Sequence, residues 1–280
     1  RYLPPVVTGP IIICIGLSLA PSAISNASQN WILALIALGT VIFFNIWGVG
    51  MFRIIPILMG IVVSYVVALI MNALGMTNAD GSAILSFAGV ASAPIVGVPK
   101  FFLCKFNITA ILAMAPIAIA SMMEHIGDIS AISANTTYGE NTSVLALSRV
   151  YDPKVIRLAA IYAVILSFIP KMAEVISSLP SAIIGGISFI LYGMISAVGV
   201  RNVVENKVDL TRSRNLVITA VILVCGLGIS DGLTFTIAGA HITLTGLALA
   251  AIVGILLNAV LPGNDYVFET AKKKEEMEDD

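Results

Sequence analysis

Charge is what this sequence has least of. Asp, Glu, Lys and Arg make up 11% of its 280 residues, where a soluble domain carries roughly 25%. Apolar residues make up 58%, and the mean hydropathy is +1.01. A soluble core can hide apolar residues, but not this proportion while exposing so little charge. The balance excludes a soluble globular domain and indicates a polytopic protein whose main partner is the lipid bilayer. A net charge of −1 gives no basic surface for nucleic acid, so none is expected as a partner. Cysteine is scarce too. Cys14, Cys104 and Cys225 stand far apart with no CxxC spacing, and they are expected to be small buried residues rather than metal ligands or a disulfide framework. No phosphate-binding loop, HExxH or GxSxG occurs. An ATP-driven pump, an enzyme with such a site and a bound cofactor or metal are therefore not expected. The chain has no signal-peptide pattern and begins at Arg1, and it is expected to be a segment of something longer.

What is present is a series of apolar runs. A helix needs about 20 apolar residues to span a bilayer. Spans are expected at 6–24, 31–49, 54–74, 108–127, 155–176, 182–204, 216–229 and 244–261, the seventh being short. Trp31 and Trp47 stand near opposite ends of the second, where amphipathic rings favour the interface. The stretch 75–99 is rich in small residues and lacks a sustained period, so it is expected to be an interfacial or re-entrant connection. The sixth run carries Gly185, Gly186, Gly193 and Gly199, which permit close helix packing.

Basic residues orient these spans. Lys272, Lys273 and Lys274 put the C-terminus in the cytoplasm. Counting back, the 201–214 loop falls inside and holds Arg201, Lys207, Arg212 and Arg214. The 177–181 turn falls outside and has no basic residue, and the 149–157 loop falls inside with three. Arg53 sets the other half, which brings the fourth span inward to end near Asp128. Lys100 and Lys105 sit against that count. The two halves do not join. A short run at 142–150 also ends inside, and the few residues from Asp128 to Asn135 cannot supply a helical crossing. Either that run is re-entrant, or residues are missing between Ile129 and Ala134; the second reading is preferred.

Two polar islands flank this break. In the first, Glu124 and Asp128 are four apart and share a helix face. Intramembrane carboxylates need a partner, a watery cavity or a proton, and two on adjacent turns raise each other's proton affinity. That meets the requirement of a proton-coupled carrier; the alternative is a solvated cytoplasmic helix end. His125 lies on another face and suits a structural hydrogen bond, while His241 falls in an outside loop. The second island is Asn135-Thr136-Thr137-Tyr138-Gly139-Glu140-Asn141. It reads as extended backbone feeding a half-helix from Thr142, as transporters build mid-membrane sites. Its free backbone N–H groups and the Glu140 carboxylate could bind a ligand. The alternative is a polar extramembrane turn followed by a short helix.

These islands, together with Gly185-Gly186-Ile187-Ser188, Leu191-Tyr192-Gly193 and Glu205-Asn206-Lys207-Val208-Asp209, resemble the nucleobase/ascorbate transporters (nucleobase–cation symporter 2), and within them the bacterial uracil permeases. The Glu140-Asn141 pair is similar to the uracil branch; xanthine and urate carriers typically have Gln-Asn there. The resemblance covers essentially the whole chain. It implies an all-α polytopic inverted-repeat transporter with discontinuous helices and short mid-membrane strands. It also implies a chain that lacks the family's first four helices and one inner helix. Residues 1–99 and 181–268 would then form two parts of a gate domain, 100–180 a partial substrate-binding core, and 269–280 a cytoplasmic tail.

By the same resemblance Glu124 contacts the base, and Gly139 with Glu140 bind its imide edge. Glu124 and Asp128 are the candidates for proton coupling, with His125, Tyr138 and Asn141 in support. Asp128 departs from some uracil carriers, which have histidine there. The implied activity is import of uracil or a related nucleobase with protons, in a multi-pass protein of the cell's inner membrane. A homodimer is left open. A xanthine or purine permease, a channel and an intramembrane enzyme are the competing readings. No continuous polar stripe favours a channel, and no second catalytic motif favours an enzyme.

Overall fold

The computed structural model describes residues 4–99, 102–103, 105–108, 110–111, 114, 118, 122, 152–229, 232–237 and 240–263. Along them run α1 (Pro5–Ala27), α2 (Trp31–Trp47), α3 (Met51–Ile54), α4 (Pro56–Ala73) and α5 (Ala88–Ser92). After the polar islands come α6 (Pro153–Leu166), α7 (Pro170–Ser177), α8 (Ser181–Glu205) and α9 (Ser213–Gly228). A hairpin of β1 (Leu233–Ile237) and β2 (Ala240–Leu244) leads to α10 (Gly246–Val260). The described residues between 108 and 122 are helical as well. Among the described helices, α1, α4 and α8 are long and apolar enough to cross a membrane by themselves, and α2, α9 and α10 are shorter apolar helices. At about 1.5 Å per residue, the 23 residues of α1 exceed the roughly 30 Å of a hydrocarbon core.

The fifth expected span is apolar enough as a whole to cross, but it is broken. It is two helices, α6 and α7, bent by 104° at a short break. Pro170 opens α7 and has no N–H to continue the ladder, and Ile169 before it is pushed out of helical geometry (φ −116, ψ 83). Local chemistry sets the other starts. The Asn30 side chain accepts from Leu33 N (3.3 Å), Asp152 accepts from Lys154 N (2.9 Å), and Thr245 accepts from Ala248 N (3.3 Å).

Internal contacts divide the chain into two units, one of Arg1–Ser18, Phe106–Gly139 and Met194–Asp280, the other of Leu19–Lys105 and Glu140–Gly193. In the second unit α2 packs on α4. The buried stripe of α4 is Pro56, Gly60, Ser64, Ala68 and Met71, in steps of four residues and lastly three, and it meets Leu33, Ala37 and Val41 of α2. A Cβ at Gly60 would lie 3.4 Å from Ala37 O and against the Val41 side chain. Ser64 is buried but satisfied, since its hydroxyl bonds back to the Gly60 and Ile61 carbonyls. The opposite faces carry Ile32, Leu35 and Phe43 on α2 and Leu58, Val62 and Leu69 on α4, all exposed. An aqueous surface would not tolerate that array; hydrocarbon requires it. The 75–99 connection forms a single bridge, Thr77 to Ala83, and the short α5, as its lack of period implied.

In the first unit α9 and α10 face each other through small residues. Gly226 and Gly254 admit Ala250 and Ile222 respectively. The start of α1 buries Val7, Ile11 and Ile12. At Gly199 of α8 a Cβ would sit 2.7 Å from Ile13 N and 2.8 Å from Gly9 O, a backbone-to-backbone approach that no side chain could share. Nearby, buried Asn202 donates to Thr8 Oγ1 at 3.2 Å. The hairpin was not expected. It pairs Leu233 with Leu244 through Ile237 with Ala240, and His241 lies on β2 opposite Thr236. Cys14 and Cys225 are free thiols; Cys104 lies outside the described residues.

Of the four glycines marked on α8, Gly185, Gly186 and Gly199 meet backbone, whereas Gly193 has nothing within 4 Å and is not a packing position. Gly199→Ala should therefore destabilise the protein by roughly 1–3 kcal/mol through overpacking. Gly193→Ala should be neutral or stabilising by up to about 1 kcal/mol. Thermal unfolding of the two variants in detergent checks both, and equal behaviour would contradict the packing.

Candidate functional site

All of the sequence-predicted site residues, Glu124, His125, Asp128, Tyr138, Gly139, Glu140 and Asn141, lie outside the described residues. The described chain approaches them from both sides. Met122, helical and exposed, stands two residues before Glu124. Asp152 and Pro153 open α6 just beyond the second island.

The α6–α7 bend is the discontinuous element the structure does describe. A helix break frees carbonyls that lipid cannot satisfy. One is taken up within the same unit, where Gly97 N donates to Phe168 O at 3.0 Å. The non-helical stretch after α5 thus serves as a partner for the broken helix. Glu174 of α7 extends its carboxylate over α5, where a Cβ at Gly89 would lie 3.2 Å from Cδ. Tyr65 of α4 and Ser178 share a hydroxyl hydrogen bond of 3.2 Å. Neighbouring elements of the same unit thus supply polar partners to the broken helix.

A separate polar feature belongs to the first unit. The start of α1, the end of α8, the start of α9 and the end of α10 enclose a cavity of about 140 Å³. A single water needs roughly 10–15 Å³ on that measure, so the space is ample for a larger group. Pro4, Asn206, Lys207, Arg212, Arg214 and Asn258 are among its walls. Arg214 is tied by several hydrogen bonds. Its Nη2 donates to Asn258 O (2.9 Å) and Oδ1 (2.8 Å), its Nε to Leu261 O (3.4 Å) and its Nη1 to Asn215 Oδ1 (3.4 Å). A guanidinium thereby closes the carbonyl end of α10, where positive charge also suits the helix dipole.

Asp209 is also committed. Its carboxylate accepts from Thr211 Oγ1 (2.6 Å) and Thr211 N (3.0 Å) and pairs with Arg212 Nε (3.3 Å). Those bonds, the Thr211 hydroxyl first, then Thr211 N, with the Arg212 charge and its hydrogen bond weaker, hold its carboxyl below the usual carboxylate range. Its contribution to the turn is complete above the ordinary carboxylate value and fades as pH falls through the lowered one.

In the sequence, Arg212 and Arg214 serve for orientation and Lys207 for orientation and the family resemblance, and this constellation was missed. The available signal was Asn258, an amide inside an otherwise apolar helix, together with Asn215 next to Arg214. Among the described residues no group of His, Cys, Asp and Glu could hold a metal ion.

Comparison with known proteins is consistent throughout. The model of the permease family (Xan_ur_permease) matches residues 1–135 and 131–235. A probable uracil permease of Haemophilus influenzae is 33% identical over 94% of this chain and 70% of its own length. Uracil permeases of Bacillus caldolyticus and Bacillus subtilis are each 35% identical, over 96% and 94% of this chain and 70% and 69% of their own. The match to the Haemophilus protein runs over 304 positions, against 280 residues in this chain, so the matched region contains positions with no counterpart here. The two pieces of the family match meet at residues 131–135. With its apolar helices and this similarity over nearly its whole length, the chain belongs to the permease family, whose members are membrane carriers rather than enzymes.

Proposed function

We propose that this chain is part of a secondary active carrier that imports uracil together with protons. The observation that carries the reading is the 35% identity to uracil permeases over nearly the whole chain, taken with the Glu140-Asn141 pair of the second island. Uracil presents ring N–H donors and carbonyl acceptors. A carboxylate at Glu140, backbone N–H at Gly139 and a second carboxylate at Glu124 complement that edge. Tyr138, Asn141 and His125 support the segment. The base is held at a discontinuous helix, and 100–180 form the core that moves against the gate formed by 1–99 and 181–268 as access alternates. In this reading the protein is multi-pass in the cell's inner membrane with the 269–280 tail in the cytoplasm.

Proton coupling rests on Glu124 and Asp128. Two carboxylates one turn apart in a poorly hydrated site cannot both stay charged without cost, so one takes a proton when the site is closed. Inverted repeats and an inner helix absent between Ile129 and Ala134 belong to the same proposal. The surplus of aligned positions in the relatives and the meeting of the two family matches at 131–135 support the missing segment.

In the full-length protein, Glu140→Gln should lower uracil uptake by on the order of 10- to 100-fold, the worth of a charged hydrogen bond. Unchanged uptake would remove Glu140 from the site. Xanthine added in excess should leave labelled uracil uptake intact, and effective competition would favour a purine carrier.

The coupling has its own readout in proteoliposomes. Asp128→Asn should retain uracil counterflow while losing accumulation driven by an inward-acid pH gradient. Loss of both together, or of neither, would separate Asp128 from the proton pathway.

A further inference from the structure

The ends of α4 and α8 make the same turn with different residues. At α4, Gly75 N donates to Asn72 O (3.1 Å) and Met76 N to Met71 O (3.0 Å), with Gly75 at φ +75. At α8, Lys207 N donates to Val204 O (3.0 Å) and Val208 N to Val203 O (3.1 Å), with Lys207 at φ +51. Both are Schellman motifs, whose left-handed position glycine normally fills because a Cβ is unfavourable there. Among the described non-glycine residues Lys207 alone has positive φ. A side chain is kept at this point against backbone preference, and it stands in the wall of the cavity described above.

The electrostatics of that cavity are one-sided. Among the described residues, Lys207, Arg212 and Arg214 line it with a single carboxylate, Asp209. Asp209 is turned to Thr211 and Arg212. The Arg214 guanidinium bonds to carbonyls and amides. The ion pairs among the described residues are Arg201–Glu205 and Arg212–Asp209, so no carboxylate there pairs with Lys207. Lys207 is exposed. Four helix ends converge on this space, and the ends of apolar helices lie at the headgroup level of a bilayer. Basic pockets between helix ends at that depth suit phosphate-bearing headgroups.

We infer that this cavity is a binding site for a phosphate group, presented by an anionic lipid headgroup or free in solution, with Lys207 as its principal contact and Arg212 and Arg214 supplying field. The inference does not depend on which base the carrier moves.

The test uses the full-length protein purified in neutral detergent. Its melting temperature is followed on adding phosphatidylglycerol, phosphatidylcholine or inorganic phosphate. Phosphatidylglycerol should raise it by several degrees over phosphatidylcholine, because a ligand of the native state stabilises it. Lys207→Gln should lose that increment and Lys207→Arg should keep it. Lys207→Gly is the decisive variant, since it relieves the backbone and should hold or raise the basal melting temperature while still losing the increment. Inorganic phosphate reproducing the increment assigns the site to free phosphate, and its failure beside a lipid response assigns it to a headgroup. No lipid or phosphate response, or an increment that survives in Lys207→Gln and Lys207→Gly, overturns the inference.

Discussion

A peptide group in hydrocarbon must find its hydrogen-bond partner within the protein. That constraint explains the described chain more fully than any side-chain contact. It makes the long runs helical, because a helix closes its own N–H and C=O groups. It makes each interruption a place where another element has to help. The α6–α7 bend receives Gly97 N on the Phe168 carbonyl. The end of α10 receives the Arg214 guanidinium. The start of α2 receives Asn30, and that of α6 receives Asp152. Several of the described polar side chains stand where the backbone cannot satisfy itself.

A second constraint follows from the first. Once helices are satisfied internally, nothing hydrophobic draws them together in lipid, and close approach must do so by dispersion. The closest of the described approaches are accordingly made at small residues. Gly199 meets Gly9 and Ile13, Gly60 meets Ala37 and Val41, and Gly226 meets Cys14 and Ala250. Buried polar residues at these contacts are paired across or along the helix, as Asn202 is with Thr8 and Ser64 with its own preceding turn. Bulky apolar residues occur on both sides, Ile11, Leu33 and Ile218 buried and Leu58, Val62 and Phe43 on the outer faces.

This division explains which parts could be read in the sequence. Helices α1, α2, α4, α8, α9 and α10 fall within a few residues of the runs expected from hydropathy, because span length is a bulk property of about 20 residues. The α6–α7 break was not foreseen, although Pro170 was visible. A proline can begin a helix as readily as bend one, and the choice depends on the Gly97 partner from a distant stretch. The hairpin was passed over because Leu233 to Leu244 is short, and its alternation competes with neighbouring apolar runs. Gly193 could not be told from Gly199 without the facing helix. The candidate site was legible as chemistry, in Glu124, Asp128, Gly139 and Glu140, because polar residues in an apolar chain need a cause. How those residues are brought together is set by contacts remote in sequence.

Orientation and packing draw on the same basic residues in different ways. Arg201, Lys207, Arg212 and Arg214 register in the sequence as a count, since charge asymmetry alone decides which loop stays inside. In the structure their roles separate. Arg201 pairs with Glu205 one turn on, Arg212 with Asp209, and Arg214 with the end of α10. Lys207 has no such carboxylate partner among the described residues, and it occupies a backbone position that favours glycine. A positive-inside signal would be met equally well by a lysine one residue earlier or later, in relaxed geometry. The cost of this placement therefore points to a use for the ammonium at this point in space. The cavity beside it is the feature of the surroundings that gives the placement a physical reason.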